Sequence, residues 1–365
     1  MAFIDRDDID ELLDKIVENK ASDLHLKPGR KPLMRVNGSF MQVPGYNVLM
    51  AGDLDIILEV TYKSTVGPSS VQSMEDLDFS YEPSKSRNSL NQKRSRYRVN
   101  ASLCSTGIRM VFRQLPSEPP SFAEIGMPEE CIRAFKDMEQ GLILVTGATG
   151  SGKSTTLASG VKDLLQEKGD LHIITLENPI EFTFSDFESD NSLITQRELG
   201  RHMQSFTHGL KSALRQDPEI ILVGELRDLD TMRLAMEGAE TGHLVLSTVH
   251  TTDVPATISR IVKVFPTEEQ SSVQVQLISS LRLICCQILI KGKHGGRVAA
   301  REYLTFTPEI RTRLIGMNSA EIYSELYNIT RTSGVSMSAS IKKLYEDDLI
   351  SEYEYNKNIK MLQEE

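Results

Sequence analysis

Tryptophan is absent from this 365-residue chain, aromatic side chains make up only 6% of it, and cysteine occurs four times. Each shortage excludes something. Without stacking aromatics a nucleic-acid groove has little to hold bases, and a formal net charge of −10 opposes a polyanion as the main partner. Cys104, Cys131, Cys285 and Cys286 show no C-x-x-C spacing, so no zinc site is expected, and they read as buried free thiols of a reducing compartment. No run approaches the ~18 apolar residues of a membrane span. The acidic, amphipathic opening "MAFIDRDDIDELL" is unlike a secretory signal. A cytoplasmic protein is expected.

What is present is ordinary in bulk, 39% hydrophobic and 25% charged, and too long for one small core. Residues 1–20 predict a helix: Leu12, Leu13, Ile16 and Val17 recur at helical spacing, and Asp5, Asp7 and Asp8 offer caps. The period then changes. Leu24 and Leu26 alternate with polar residues, Pro28-Gly29 marks a turn, and Met34 to Val36 lead into an Asn37-Gly38 hairpin signal. "DLDFSYE", "SRYRVNASLC" and "GIRMVFRQL" read as further strands, so residues 1–115 are expected to form an α+β domain with a mainly antiparallel sheet. The polar, basic stretch 84–98 reads as a solvated hairpin loop, with a nucleic-acid or lipid contact as the alternative. Residues 116–126, "PSEPPSFAEIG", predict an extended linker, because proline and its preceding residue resist the helix. From 127 to 310 helix and strand alternate, as in an α/β domain whose parallel sheet is covered on both faces. Residues 311–365 predict a polar-faced helical region.

The most specific signal is "GLILVTGATGSGKSTTL". A buried strand, Leu142 to Val145, runs into Gly147, Ala148, Thr149, Gly150, Ser151, Gly152, Lys153, Ser154 and Thr155, the G-x-x-x-x-G-K-[ST] phosphate loop followed by a helix. Glycines let successive N–H groups turn inward, and the helix N-terminus adds positive potential. In such a loop Lys153 reaches the β- and γ-phosphates of ATP or GTP, and the Ser154 hydroxyl ligates Mg²⁺. A second apolar run, Ile220 to Val223, ends in Gly224 and Glu225. Ligands of open parallel sheets lie at the carboxyl ends of the strands, so Glu225 is expected to face the γ-phosphate and Mg²⁺. The competing reading is a surface glutamate paired with Arg227. Many phosphate-loop enzymes carry an aspartate where this chain has Gly224, so Glu225 would act through water. Two further strand ends add Glu177, Asn178 and Glu181, and His243 and His250, a constellation that points to nucleotide sensing.

In this order the motifs resemble the secretion-ATPase superfamily, the hexameric motors of type II and type IV secretion and of type IV pili. "ASDLHL", "RYRVNA", "TLENPIEF", "LVGELRD", "ETGHLVLSTVHTTD" and "FPTEEQ" carry the likeness, which spans almost the whole chain. The resemblance implies a PAS-like N-terminal domain and a RecA-like ATPase domain, ATP and Mg²⁺ as cofactors, a homohexamer, and an inner-membrane platform or secretion-complex protein as partner. It implies that Glu177 and Glu225 activate or orient water and that His243 and His250 couple the γ-phosphate to subunit contacts. It also implies that Arg96, Arg98, Arg113 and Arg215 act as arginines supplied to phosphate from a second domain or subunit. Asn178 departs from the family's usual aspartate. No tetracysteine insertion is present, which leaves two compact branches. "DLDFSYE", "GHLVLSTVHTT" and "DDLIS" are similar to the pilus-retraction motor. "RYRVNAS", "PSEPPS" and "GRVAAREYLTF" are closer to the ATPase of type IVB (Dot/Icm-like) secretion and related conjugative plasmids, the branch this chain resembles more. A nucleic-acid translocase on a similar core and a nucleotide-sensing scaffold with negligible turnover are the rival readings.

Overall fold

The computed structural model describes residues 6–83, 95–116 and 118–364, with the side chain of residue 364 left aside. Most of the basic stretch 84–98 therefore lies outside the described residues. The chain forms two compact units: residues 1–118 with 178–183, and residues 119–177 with 184–365.

The N-terminal unit opens with α1 (Arg6–Glu18), followed by β1 (Asp23–Leu26), β2 (Leu33–Val36) and β3 (Ser39–Gln42). Asn37 and Gly38 join β2 to β3 at φ 48° and 84°, the paired positive values a tight hairpin turn requires. Helices α2 (Ala51–Tyr62) and α3 (Val66–Gln72) precede β4 (Leu77–Tyr81), β5 (Arg96–Cys104) and β6 (Gly107–Leu115). The six strands are antiparallel wherever they pair, in the order β3-β2-β1-β6-β5-β4. Ile9, Leu12, Leu13 and Ile16 of α1 and Leu54, Ile57 and Leu58 of α2 pack with Leu24, Val99 and Phe112 in one core. Tyr97 Oη donates to the Leu13 carbonyl at 3.2 Å and Tyr81 Oη to Asp10 Oδ1 at 2.8 Å, fixing α1 on the sheet. The sequence reading assigned nothing to α2 and α3. Gly52, Ile56, Ile57, Val60 and Thr61 make α2 a weak helix by propensity, and burial of its Leu54, Ile57 and Leu58 sustains it.

The second unit is an α/β domain. Its strands are β7 (Gly141–Thr146), β8 (His172–Glu177), β9 (Leu193–Glu198), β10 (Ile220–Val223), β11 (Leu244–Val249), β12 (Leu281–Lys291) and β13 (Arg297–Thr305). They lie in the order β13-β12-β7-β11-β10-β8-β9, and every residue of β7, β10 and β11 is buried. Burial on both faces explains why these strands read as unbroken apolar runs. One expectation needs correction: β13 pairs antiparallel with β12, so the sheet is parallel only from β12 to β9. Helices α4 (Glu129–Lys136), α5 (Lys153–Glu167), α6 (Phe206–Ala213), α7 (Leu229–Glu240), α8 (Val254–Lys263) and α9 (Gln270–Ser280) cover the sheet. Asp228 and Asp253 cap α7 and α8, accepting from Thr231 N and Ala256 N. The last four helices, α10 (Pro308–Leu314), α11 (Ser319–Thr332), α12 (Met337–Glu346) and α13 (Glu352–Glu364), belong to this same unit. Ile322, Leu326 and Ile329 of α11 enter the main core, while Met337 and Ile341 of α12 cover Ile290 and Ala300 in a satellite cluster.

The linker also differs from expectation. Residues 119–126 are bound into the second unit: Phe122 is buried against Phe135 with ring centroids 5.2 Å apart, and its N–H donates to Asp163 Oδ2 at 3.1 Å. Lys162 Nζ donates to the Pro119 carbonyl at 2.9 Å. Cys131, Cys285 and Cys286 are buried free thiols, whereas Cys104, where β5 gives way to a turn, is half-exposed. Ile221 is fully buried on β10 between β11 and β8. Ile221→Ala should therefore cost about 2–5 kcal/mol in denaturant unfolding, the usual range for truncating a buried aliphatic side chain to alanine.

Candidate active site

Strand register assembles the site. Thr146 pairs with Val249, so the chain leaves β7 into the phosphate loop beside the point where it leaves β11 at His250. Val223 pairs with Ser247 on one side and Leu176 on the other, which brings Gly224 and Glu225 between the ends of β11 and β8. The loop residues, Glu225, Glu177 and His250 thus share the carboxyl edge of the sheet.

The loop is closely fitted. Gly147 has φ 140°, and a Cβ there would come within 2.4 Å of the Gln287 carbonyl and 2.6 Å of Ser151 Oγ. Gly152, at φ 88°, leads directly into α5. The crest, Ala148, Thr149 and Gly150, is exposed, as is Ser154, while Thr155 is half-buried. The Ser151 hydroxyl is buried without a hydrogen-bond partner among the described residues. Lys153 is 8% exposed and folds back on its own loop, donating to the Gly147 and Ala148 carbonyls at 2.9 and 3.1 Å. Burial pulls its pKa below the usual lysine value, against the raising effect of the Glu225 charge.

Beyond Lys153 the polar groups form a row. Lys153 Nζ lies 3.5 Å from His250 Nδ1, and His250 Nε2 lies 3.3 Å from Glu225 Oε1. An ammonium only donates, so Nδ1 faces it as acceptor and Nε2–H donates to the carboxylate. Glu225 Oε2 accepts from Arg227 Nε at 2.7 Å. Glu225 thus pairs with an exposed arginine, and one side chain, His250, stands between it and the loop lysine. Gly224 has a local reason to be glycine, since a Cβ would lie 3.2 Å from the Leu176 carbonyl. Thr175 Oγ1 at 2.6 Å and Gln196 Nε2 at 3.2 Å both donate to Glu177 Oε1.

Other predicted residues are placed elsewhere. His243 precedes β11 and its Nδ1 is 3.1 Å from the Gly238 carbonyl. A six-residue strand separates it from His250, about 20 Å at the usual rise, so one chain does not bring both histidines to one phosphate. Arg215, exposed after α6, precedes β10 at that same amino edge. Glu181, Arg96, Arg98 and Arg113 belong to the N-terminal unit. Arg96 was expected to offer its guanidinium to phosphate. Instead it is buried and donates to the Ile180 and Glu181 carbonyls at 3.0 and 3.1 Å, holding segment 178–183 in that unit. Arg98 lies 3.7 Å from Asp78, and Arg113, with a side chain 70% exposed, donates to Asp23 at 2.8 Å. Asn178 is exposed. Sequence reasoning missed Gln287, whose Nε2 donates to the Ser151 carbonyl at 2.6 Å. A lone amide inside the apolar run "RLICCQILI" was the available signal.

A family model described as type II/IV secretion system protein matches residues 2–313. The chain belongs to that family. Among type II/IV secretion system proteins, it is 41% identical over 349 residues to the type IV pilus retraction ATPase PilT of Pseudomonas aeruginosa, covering 94% of this chain and 96% of that one. The X-ray structure of the ATPase DotB of Legionella pneumophila superposes with a TM-score of 0.89 at 32% identity, covering 98% of this chain and 96% of DotB. The crystal structure of the pilus retraction motor PilT with bound ADP gives 0.81 at 34% identity over 97% of this chain and 96% of PilT. As a member of this secretion-system family the chain is an ATPase. The fitted phosphate loop at the end of β7 is the feature that activity requires.

Proposed function

We propose that this ATPase is the ring motor of a type IVB-like secretion or conjugative-transfer machine, working as a homohexamer on the cytoplasmic side of an inner-membrane platform. The observation that carries the reading is the fit to DotB, at a TM-score of 0.89 over 98% of the chain. Pilus retraction is the second reading, favoured by 41% identity to PilT over nearly the full length.

On this reading Lys153 leaves the Gly147 and Ala148 carbonyls to meet the β- and γ-phosphates, and Glu225 and Glu177 position the attacking water. Mg²⁺ suits the donor set, with the exposed Ser154 hydroxyl as a hard oxygen ligand beside phosphate oxygens; it would neutralise charge on the phosphates. Arg98 and Arg113 serve as arginines supplied to phosphate, and His243 and Arg215 serve subunit contacts. Turnover per subunit should rise cooperatively with protein concentration, measured as phosphate release from nanomolar to micromolar protein. Flat turnover would remove the intersubunit site. Deletion of the gene in its host should abolish DNA or protein transfer and leave twitching intact; the opposite pattern would select pilus retraction.

A further inference from the structure

Gln287 is 1% exposed on β12, and both ends of its carboxamide are hydrogen-bonded. Nε2 donates to the Ser151 carbonyl at 2.6 Å, while Oε1 accepts from Thr156 Oγ1 at 2.9 Å and from Arg301 Nε at 3.4 Å. It therefore touches both the phosphate loop and the first turn of α5. Arg301, 3% exposed on the adjacent β13, spends its remaining nitrogens on the Gly126 and Ile125 carbonyls at 2.9 and 3.0 Å. Among the described residues no carboxylate pairs with it. A buried guanidinium without a carboxylate is costly to keep, and its contacts indicate what it does.

A carboxamide can face either way. The flipped amide would set its NH₂ against the guanidinium and its oxygen against the Ser151 carbonyl, two repulsive contacts. Arg301 thus decides which end of Gln287 meets the loop. The Ser151–Gly152 peptide is trans, so its C=O and N–H point to opposite sides of the chain. Drawing the Ser151 carbonyl onto Gln287 turns the Gly152 N–H the other way, as a phosphate-cradling loop needs.

We propose that Gln287 and Arg301 are positioning residues for ATP: Arg301 orients the Gln287 amide, and Gln287 fixes the Ser151–Gly152 peptide for phosphate binding. Since the same guanidinium holds Ile125 and Gly126, the end of the connector and the phosphate loop share one anchor.

Full-length Gln287→Glu tests this. The new carboxylate keeps the acceptors for Thr156 and Arg301 and gains the Arg301 charge, but in place of the donor to Ser151 it sets an anionic oxygen against that carbonyl; the neutral Gln287→Met controls for the added charge. The nucleotide-free melting temperature should stay at or above wild type, while affinity for fluorescent ADP falls about tenfold and KM for ATP rises with kcat changing less. Gln287→Met, which removes all three hydrogen bonds, should lose at least as much affinity; it decides the question if the glutamate variant does not fold. ADP affinity within twofold of wild type in both variants would overturn the proposal. So would a fall in affinity of Gln287→Glu accompanied by an equal fall in its nucleotide-free stability, which marks a merely structural amide.

Discussion

Lys153→Ala should lower ATP turnover by about 10³-fold, the loss associated with removing one preorganised charge-stabilising donor from a desolvated site. The size follows from where the ammonium lies. At 8% exposure it is already stripped of most water, and its two hydrogen bonds go to carbonyls of the very loop that will hold phosphate. Moving from those carbonyls to phosphate exchanges neutral acceptors for anionic ones, which adds charge–charge attraction in a site poor in water. Phosphate release measures the loss, and nucleotide-free melting provides the control. That melting point should change little, because the two carbonyls released belong to the loop at the edge of the unit rather than to its apolar core. Turnover within tenfold of wild type would mean that hydrolysis does not pass through this loop.

The phosphate loop was legible because all its determinants are local. Glycines, lysine and the flanking apolar strand occupy one run of chain, and the bounds of β10, Ile220–Val223, coincide with the apolar run between Glu219 and Gly224. Gln287 was not legible for the opposite reason. Its partner Ser151 lies 136 residues away, and only the pairing of β12 with β7 brings the two together. The antiparallel turn of β13 escaped notice because periodicity reports burial and says nothing of strand direction. Arg96 shows a third kind of limit. The stretch "RYRVNA" marks arginines on a strand, but Arg96 and Arg98 share one face by alternation, and only the long-range fold sets Arg96 on the Ile180 and Glu181 carbonyls while Arg98 stays exposed beside Asp78. Residues 178–183, which carry those two carbonyls, belong to the N-terminal unit although the carbonyls lie 84 and 85 residues beyond Arg96 along the chain.

Glu225→Gln should separate binding from hydrolysis. The amide keeps the side chain's shape and removes its ability to take a proton, a role that contributes typically 10²–10⁴ in rate. Turnover is therefore expected to fall at least about 100-fold. ADP affinity should remain within about threefold, because binding rests on Lys153 and the loop N–H groups. The informative comparison is Arg227→Ala. Arg227 is 70% exposed, and its 2.7 Å contact with Glu225 is an ion pair at the surface, of a kind that contributes little. If Glu225 served only that pair, both substitutions would have the same small effect on turnover and stability. If it serves the attacking water, Glu225→Gln removes turnover while Arg227→Ala leaves most of it. His250 fits the second case, since its Nε2–H on Glu225 Oε1 and its Nδ1 toward Lys153 place the carboxylate in the loop's own hydrogen-bonded row.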